Sequence, residues 1–255
     1  MTYREDHYDV SGVDTAVLSA GDGPPLVFLH GGGTATGFDS LLPLAERFRL
    51  IVPHHPGFGA SADDPAVDSL HDYVLHYLDL VDELGLDRFA LAGHSLGGNM
   101  AALFAIQQAE RVRRLVLASP VGLTVPDHPT VDFFSPSEEE VMERLTADPS
   151  IFAGPPPSPE FLADRYREAT SLARIGWKRP PDRKLRRWLH RVTMPTLVLW
   201  GDLDRMVPVE QAAVWVDLLP NAETRVLRGV GHLLFDESRE AVGAIGDFVG
   251  AEVAA

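Results

Sequence analysis

Three features of the sequence predict an α/β fold, with a mostly parallel central sheet covered by helices on both faces and a helical insertion. Short uninterrupted apolar runs at residues 26–29, 50–52, 89–92, 115–118 and 196–200 read as strands buried on both sides. Helical or long polar connections separate them, which is the rhythm of parallel β-α units joined by right-handed crossovers. That rhythm stops over residues 122–188, where prolines and acidic residues accumulate and no comparable strand occurs.

Taken in order, loose alternation over residues 10–18 suggests an edge strand, and residues 21–25 a turn. The run at 26–29 delivers the chain into His30-Gly31-Gly32-Gly33. Residues 38–48 read as a helix, after which the strand at 50–52 opens into the loop HHPGFG. Over residues 69–84 apolar side chains recur at helical spacing: Leu70, Tyr73, Val74, Tyr77, Leu78, Val81 and Leu84. The strand at 89–92 ends in GHSLGG and a helix is expected over 99–108. Within the insertion, Ser137 with Glu140 fits a capping box, and Ser158 with Pro159 an N-cap followed by proline at the first helical position. The sequence GPPP at 154–157 fits inside neither helix. Beyond it the pattern gives a strand at 196–200, a helix at 211–218, a strand at 223–227 and a final helix at 240–249. A chain of 255 residues is therefore read as a core of residues 1–121 and 189–255, with 122–188 as a helical cap.

Composition narrows the function classes. Lys and Arg total 22 against 37 Asp and Glu, a formal charge of −15, which repels nucleic acid and anionic membranes. The basic run from Lys178 to Arg191 reads as a solvated linker or helix face, with a contact surface for an anion as the sharper alternative. No cysteine occurs, so disulfides, thiolate metal sites and cysteine nucleophiles are excluded. The N-terminus MTYREDHYDV lacks an apolar signal region, and no apolar stretch approaches the roughly 18 residues of a membrane span. A cytoplasmic protein without membrane insertion, acting on a small molecule, is expected.

The sharpest signal is Gly93-His94-Ser95-Leu96-Gly97, a G-x-S-x-G pattern between a buried strand and a helix. A serine nucleophile must project from a tight turn, and small residues two positions to either side keep that turn uncrowded. The alternative is a serine that merely caps a helix. The first amides of the following helix are unpaired, so the Leu96 N–H can donate to an oxyanion. A second donor is expected from the glycine loop, at Gly32 with Gly33 as the neighbouring possibility.

A serine hydroxyl needs a base, and the base needs a carboxylate to hold its tautomer. Among the ten histidines, His232 leaves a predicted strand in GVGH and is the candidate base. His94 beside the nucleophile and His30 before the glycines are read as structural hydrogen bonders, and His190 as solvent-facing. Two carboxylates, Asp202 and Asp204, follow the strand at 196–200, and their placement alone leaves the choice even. One of them is explained as a turn residue accepting backbone amides. The order serine, acid, histidine places all three at the carboxyl ends of strands, where ligands bind in open α/β sheets.

Over essentially its full length the chain resembles the α/β-hydrolase superfamily. The matching motifs are LHGGG at 29–33, HHPGFGAS at 54–61, GHSLGG at 93–98, PTLVLWGDLDRMVP at 195–208 and GVGHLLFDE at 229–237. The family's G-x-x-D pattern implies Asp204 as the acid, and its cap follows the sixth core strand, where 122–188 falls. No cofactor and no metal are implied; His54 and His55 have no further ligands near them. Within the superfamily the chain resembles carboxylesterases and lactonases, and also hydrolases that cleave carbon–carbon bonds in aromatic ring-fission products. The latter usually carry asparagine before the nucleophile and tryptophan after the histidine, whereas this chain has His94 and Leu233, so ester or lactone hydrolysis is expected first. Dehalogenases and epoxide hydrolases need an aspartate where Ser95 stands. A non-catalytic binding protein on the same scaffold should have lost a triad residue or the glycines, and none is lost. Members often have aspartate at the position of His54; the pair His54 and His55 is either a hydrogen-bonded loop element or a substrate contact. Phe133, Phe134, Phe152, Phe161 and Trp177, with Leu233, are candidate pocket residues for an apolar acyl group.

Overall fold

A computed structural model describes residues 1–33, 38–152, 157–177 and 183–251. Eight strands form one sheet in the order β1-β2-β4-β3-β5-β6-β7-β8. They are β1 (Arg4–Val10), β2 (Val13–Ala20), β3 (Pro25–Leu29), β4 (Arg49–Pro53), β5 (Phe89–His94), β6 (Val112–Ala118), β7 (Thr196–Gly201) and β8 (Ala222–Leu227). From β4 across to β8 neighbouring strands are parallel, while β2 runs antiparallel to both β1 and β4. The helices are α1 (Leu70–Glu83), α2 (Leu96–Gln107), α3 (Glu138–Leu145), α4 (Pro159–Gly176), α5 (Arg183–Trp188), α6 (Gln211–Leu218), α7 (Leu234–Glu237) and α8 (Arg239–Gly250).

The two-residue period of the strands builds two cores. Val27, Leu91, Leu117 and Val198 point to the face covered by α1, α2 and α6, while Leu26, Ala92, Val116 and Leu199 point to the face covered by α8. Because both faces are covered, the central strands need apolar residues at every position, hence the uninterrupted runs in the sequence.

Several expected elements change on folding. The single edge strand expected at 10–18 is a hairpin, since β1 pairs with β2 from Arg4 opposite Ser19 to Val10 opposite Val13. Its sequence REDHYDV is mostly exposed, so apolar patterning gave no signal. The helix expected at 38–48 is a 3-10 segment, Phe38–Glu46, because Pro43 inside it cannot donate the bond an α-helix requires. α2 begins at Leu96, three residues before the expected start. Ser69 caps α1, the Ser137–Glu140 capping box opens α3, and Ser158 accepts the Phe161 amide ahead of Pro159 in α4. Between β6 and β7 the described residues are helix and loop without a strand. Lys178 and Arg179 of the basic run lie outside the described residues, as do 154–156 of GPPP. No described helix is long and apolar enough to cross a membrane.

Candidate active site

Ser95 stands between the end of β5 and the start of α2 with φ +54° and ψ −113°, a conformation that L side chains rarely adopt. Its amide donates to the Ala118 carbonyl at 2.9 Å, tying the turn to β6. The flanking glycines are required by backbone contacts. A Cβ at Gly93 would lie 2.2 Å from the Gly97 carbonyl oxygen, and one at Gly97 would lie 2.1 Å from the Leu29 oxygen and 2.4 Å from that of His30. Any side chain at Gly97 would therefore push α2 away from the end of β3, and with it the amide of Leu96 away from the glycine loop.

His232 leaves the loop after β8 and reaches both neighbours. Its Nε2 lies 2.9 Å from Ser95 Oγ and its Nδ1 2.8 Å from Asp204 Oδ2. With the carboxylate ionised, Nδ1–H donates to Asp204 and Nε2 is left to accept the serine proton. Asp204 is itself held, since Oδ1 accepts the amides of Met206 at 2.9 Å and Val207 at 2.8 Å. Burial pushes the Asp204 carboxyl up, but His232, through its charge and hydrogen bond, and the Val207 amide outweigh it, so the net shift is downward. Asp202 takes the other role: its Oδ1 accepts the Gly229 amide at 2.6 Å.

His94 is neutral and structural. Its Nε2–H donates to the His232 carbonyl at 2.8 Å, and burial, then the neighbouring His232, lowers its pKa to about 3. The glycine loop runs alongside. A Cβ at Gly31 would meet His94 and Ser95, one at Gly32 would meet Leu172 and Leu96, and one at Gly33 would meet nothing within 4 Å. Gly32 thus sits beside the side chain of Leu96, the first residue of α2.

These residues open onto a cavity of about 450 Å³. Phe133, Phe134 and Leu233 line it, as the sequence led one to expect. The other candidates fall elsewhere, and for His54 and His55 the hydrogen-bonded alternative holds. His54 and His55 do not line the cavity: His54 Nδ1 accepts the Ala60 amide at 3.0 Å, and His55 donates from Nε2 to the His30 carbonyl at 2.9 Å while its Nδ1 accepts the Tyr77 hydroxyl. Both are buried in the core, with His55 stacked on His30 and its pKa lowered to about 3, first of all by burial. Phe161 and Trp177 face outward, Trp177 being 54% exposed and stacked on the outer side of Phe134. The side chain of Phe152 lies outside the described residues. Sequence reasoning missed Leu172, Met206 and Leu145, which also line the cavity. Leu172 shares a buried helical face with Ile175 on α4, a spacing visible in the sequence, whereas Met206 and Leu145 carry no local signal. Among the described residues no cluster of three His, Asp or Glu side chains could hold a metal ion.

Comparison with known proteins agrees with this architecture. The alpha/beta hydrolase fold family model matches residues 24–238. The chain is 28% identical to a 2-hydroxy-6-oxo-6-(2'-aminophenyl)hexa-2,4-dienoic acid hydrolase of Metapseudomonas resinovorans, over 93% of this chain and 88% of that one. It is 30% identical to a pimeloyl-[acyl-carrier protein] methyl ester esterase of Legionella pneumophila, strain Paris, over 84% and 90% of the two chains. Among solved structures, a serine hydrolase involved in carbazole degradation superposes with a TM-score of 0.78 at 25% identity, covering 97% of this chain and 98% of that one. The family match spans β3 to β8, the Ser95 turn and the His232 loop, and the chain is a hydrolytic enzyme belonging to the alpha/beta hydrolase fold family.

Proposed function

We propose that the chain is a serine hydrolase that cleaves a neutral carboxylic ester or lactone by two-step acyl transfer. Ser95 Oγ attacks the carbonyl as His232 Nε2 takes its proton, and Asp204 stabilises the resulting imidazolium. The amides of Leu96 and Gly32 stabilise the oxyanion, and His232 then protonates the leaving alcohol. Water repeats the sequence and releases the acid. Residues 122–188 act as the cap, supplying Val131, Phe133, Phe134 and Leu172 as an apolar wall for the acyl group.

The observation that carries this reading is the hydrogen-bonded chain from Ser95 through His232 to Asp204, facing a cavity whose described lining contains no lysine or arginine. Among the described residues, the ionisable side chains on the wall besides histidine are Asp132 and Asp236. None of the described lining residues carries a positive charge that would pair with a substrate carboxylate, and burying such a charge unpaired is costly. Burial, then the neighbouring Glu237, raises the Asp236 carboxyl, the behaviour expected where negative charge is already disfavoured.

Carbon–carbon bond hydrolysis of a dienoate is the second reading, favoured by the 28% identity to the dienoic acid hydrolase. The two are separated by kcat/KM for p-nitrophenyl esters of short and medium chains, a simple lactone and a 2-hydroxy-6-oxo-dienoate. Esters or lactone are expected to exceed the dienoate, with turnover lost in Ser95→Ala while circular dichroism is unchanged. A dienoate value a hundredfold above every ester, about 2.7 kcal/mol of differential transition-state binding, would replace the first reading with the second. Failure of a fluorophosphonate to label Ser95 would remove both readings, since each is built on an activated serine.

A further inference from the structure

His232 is bracketed on both sides by the backbone of residues 145–147, the last residue of α3 and the two that follow it. After it, the Leu233 amide donates to the Leu145 carbonyl at 2.9 Å. Before it, the Gly231 amide donates to Glu237 Oε2 at 3.0 Å, and the same oxygen accepts the Ala147 amide at 2.8 Å. The two backbones touch here, because a Cβ at Gly231 would lie 2.6 Å from the Ala147 nitrogen and 2.8 Å from Thr146. Thr146 is fully buried, and its carbonyl accepts from Arg205, the residue after Asp204, at 3.1 Å. The loop of the base and the loop of the acid are thus both fastened to one short stretch of the insertion.

We propose that Glu237 is a positioning residue: by joining the amides of Gly231 and Ala147 through one oxygen, it makes the reach of His232 to Ser95 depend on the docking of residues 145–147. The carboxylate suits this task. One oxygen has lone pairs for two amides at once, and a charged acceptor holds them more strongly than a carbonyl would. Nothing else among the described residues accepts either of these two amides. Without Glu237, the Gly231 amide and the segment 145–147 lose their shared anchor, and the imidazole is free to swing while the cavity wall apart from Leu145 survives. A displaced base affects the bond-making step more than substrate binding, so kcat should fall and KM should hardly move.

The inference rests on the acyl-transfer reading, and its test separates the two failures. Wild type, Glu237→Ala and Glu237→Gln are compared for ester kcat and KM and for the rate of phosphonylation by a fluorophosphonate, with circular dichroism and melting as checks on folding. Expected for Glu237→Ala is a loss of at least tenfold in kcat, with KM within threefold and phosphonylation slowed in parallel. Glu237→Gln, which keeps an oxygen in place for both amides, should restore kcat to within threefold of wild type. A folded Glu237→Ala with kcat within twofold of wild type, or a loss confined to KM, overturns the proposal. Should Glu237→Ala not fold, Gly231→Ala decides by the same measurements, since its Cβ forces residues 146–147 away while leaving Glu237 present. Near-wild-type kcat in that variant overturns the proposal, and a kcat-specific loss supports it. Wild type that the fluorophosphonate does not label would instead defeat the acyl-transfer reading itself.

Discussion

Replacing Asp204 by asparagine changes one atom, and the structure says which way the new side chain must face. Asp204 Oδ1 accepts two amides, those of Met206 and Val207, while Oδ2 faces His232 Nδ1. If the asparagine oxygen keeps the two amides, its NH2 points at Nδ1. If it flips, the NH2 opposes two buried N–H groups, at about 1–3 kcal/mol for each one left unpaired. The first arrangement is therefore favoured, and it forces His232 to accept at Nδ1 and carry its proton on Nε2. That tautomer cannot take the proton of Ser95. The loss of kcat should approach the 10⁴-fold seen when a triad acid is amidated in another serine hydrolase, about 5.4 kcal/mol of transition-state stabilisation. Asp202→Asn is the control, because its Oδ1 can still accept the Gly229 amide, and its kcat should stay within about threefold of wild type. The assay is p-nitrophenyl ester turnover at pH 7 with melting temperatures for both variants. An Asp204→Asn enzyme within tenfold of wild type, or one less damaged than Asp202→Asn, would refute the tautomer argument.

Two further outcomes follow from packing and burial. Gly97→Ala places a Cβ 2.1 Å from the Leu29 oxygen, a backbone atom that cannot swing aside, so urea melts should show a loss of at least about 2 kcal/mol; stability unchanged from wild type would mean that α2 can shift freely. Acid should unfold the protein early. Burial, foremost, lowers the pKa values of His30 and His54, of His55 to about 3, of His76 to about 4 and of His94 to about 3. The unfolded chain takes up these protons near pH 6.5 and the folded chain does not, so stability is full above that pH and falls below it. His30, His55, His76 and His94 each cost up to about 1.4 kcal/mol per pH unit below the unfolded pKa, so together they remove several kcal/mol of a typical 5–15 kcal/mol by pH 5. Urea midpoints that stay level from pH 7 to pH 5 would contradict this.

Features that depend on neighbours along the chain can be read from the amino acids alone. Strands covered on both faces need unbroken apolar runs, and β3 to β7 show them. The caps at Ser137 and Ser158 are made with residues three positions away, so they too were legible. The glycines around Ser95 announced a tight turn before its partners at Leu29 and His30 were known. Tertiary structure decided the rest, because partners distant in sequence leave no local trace. The choice between Asp202 and Asp204 was even on the residues alone, and the fold turned one toward His232 and the other toward Gly229. His54 and His55 are polar loop residues in sequence, yet His30 and Tyr77 from other elements give His55 its hydrogen bonds and draw it into the core. Phe161 and Trp177 are as apolar as Leu172, but α4 turns only Leu172 to the cavity, because Glu168, Ser171 and Arg174 dock that face on residues 57–63. The bracket of residues 145–147 around His232 uses backbone amides, which every sequence carries, so only the folded chain could reveal it.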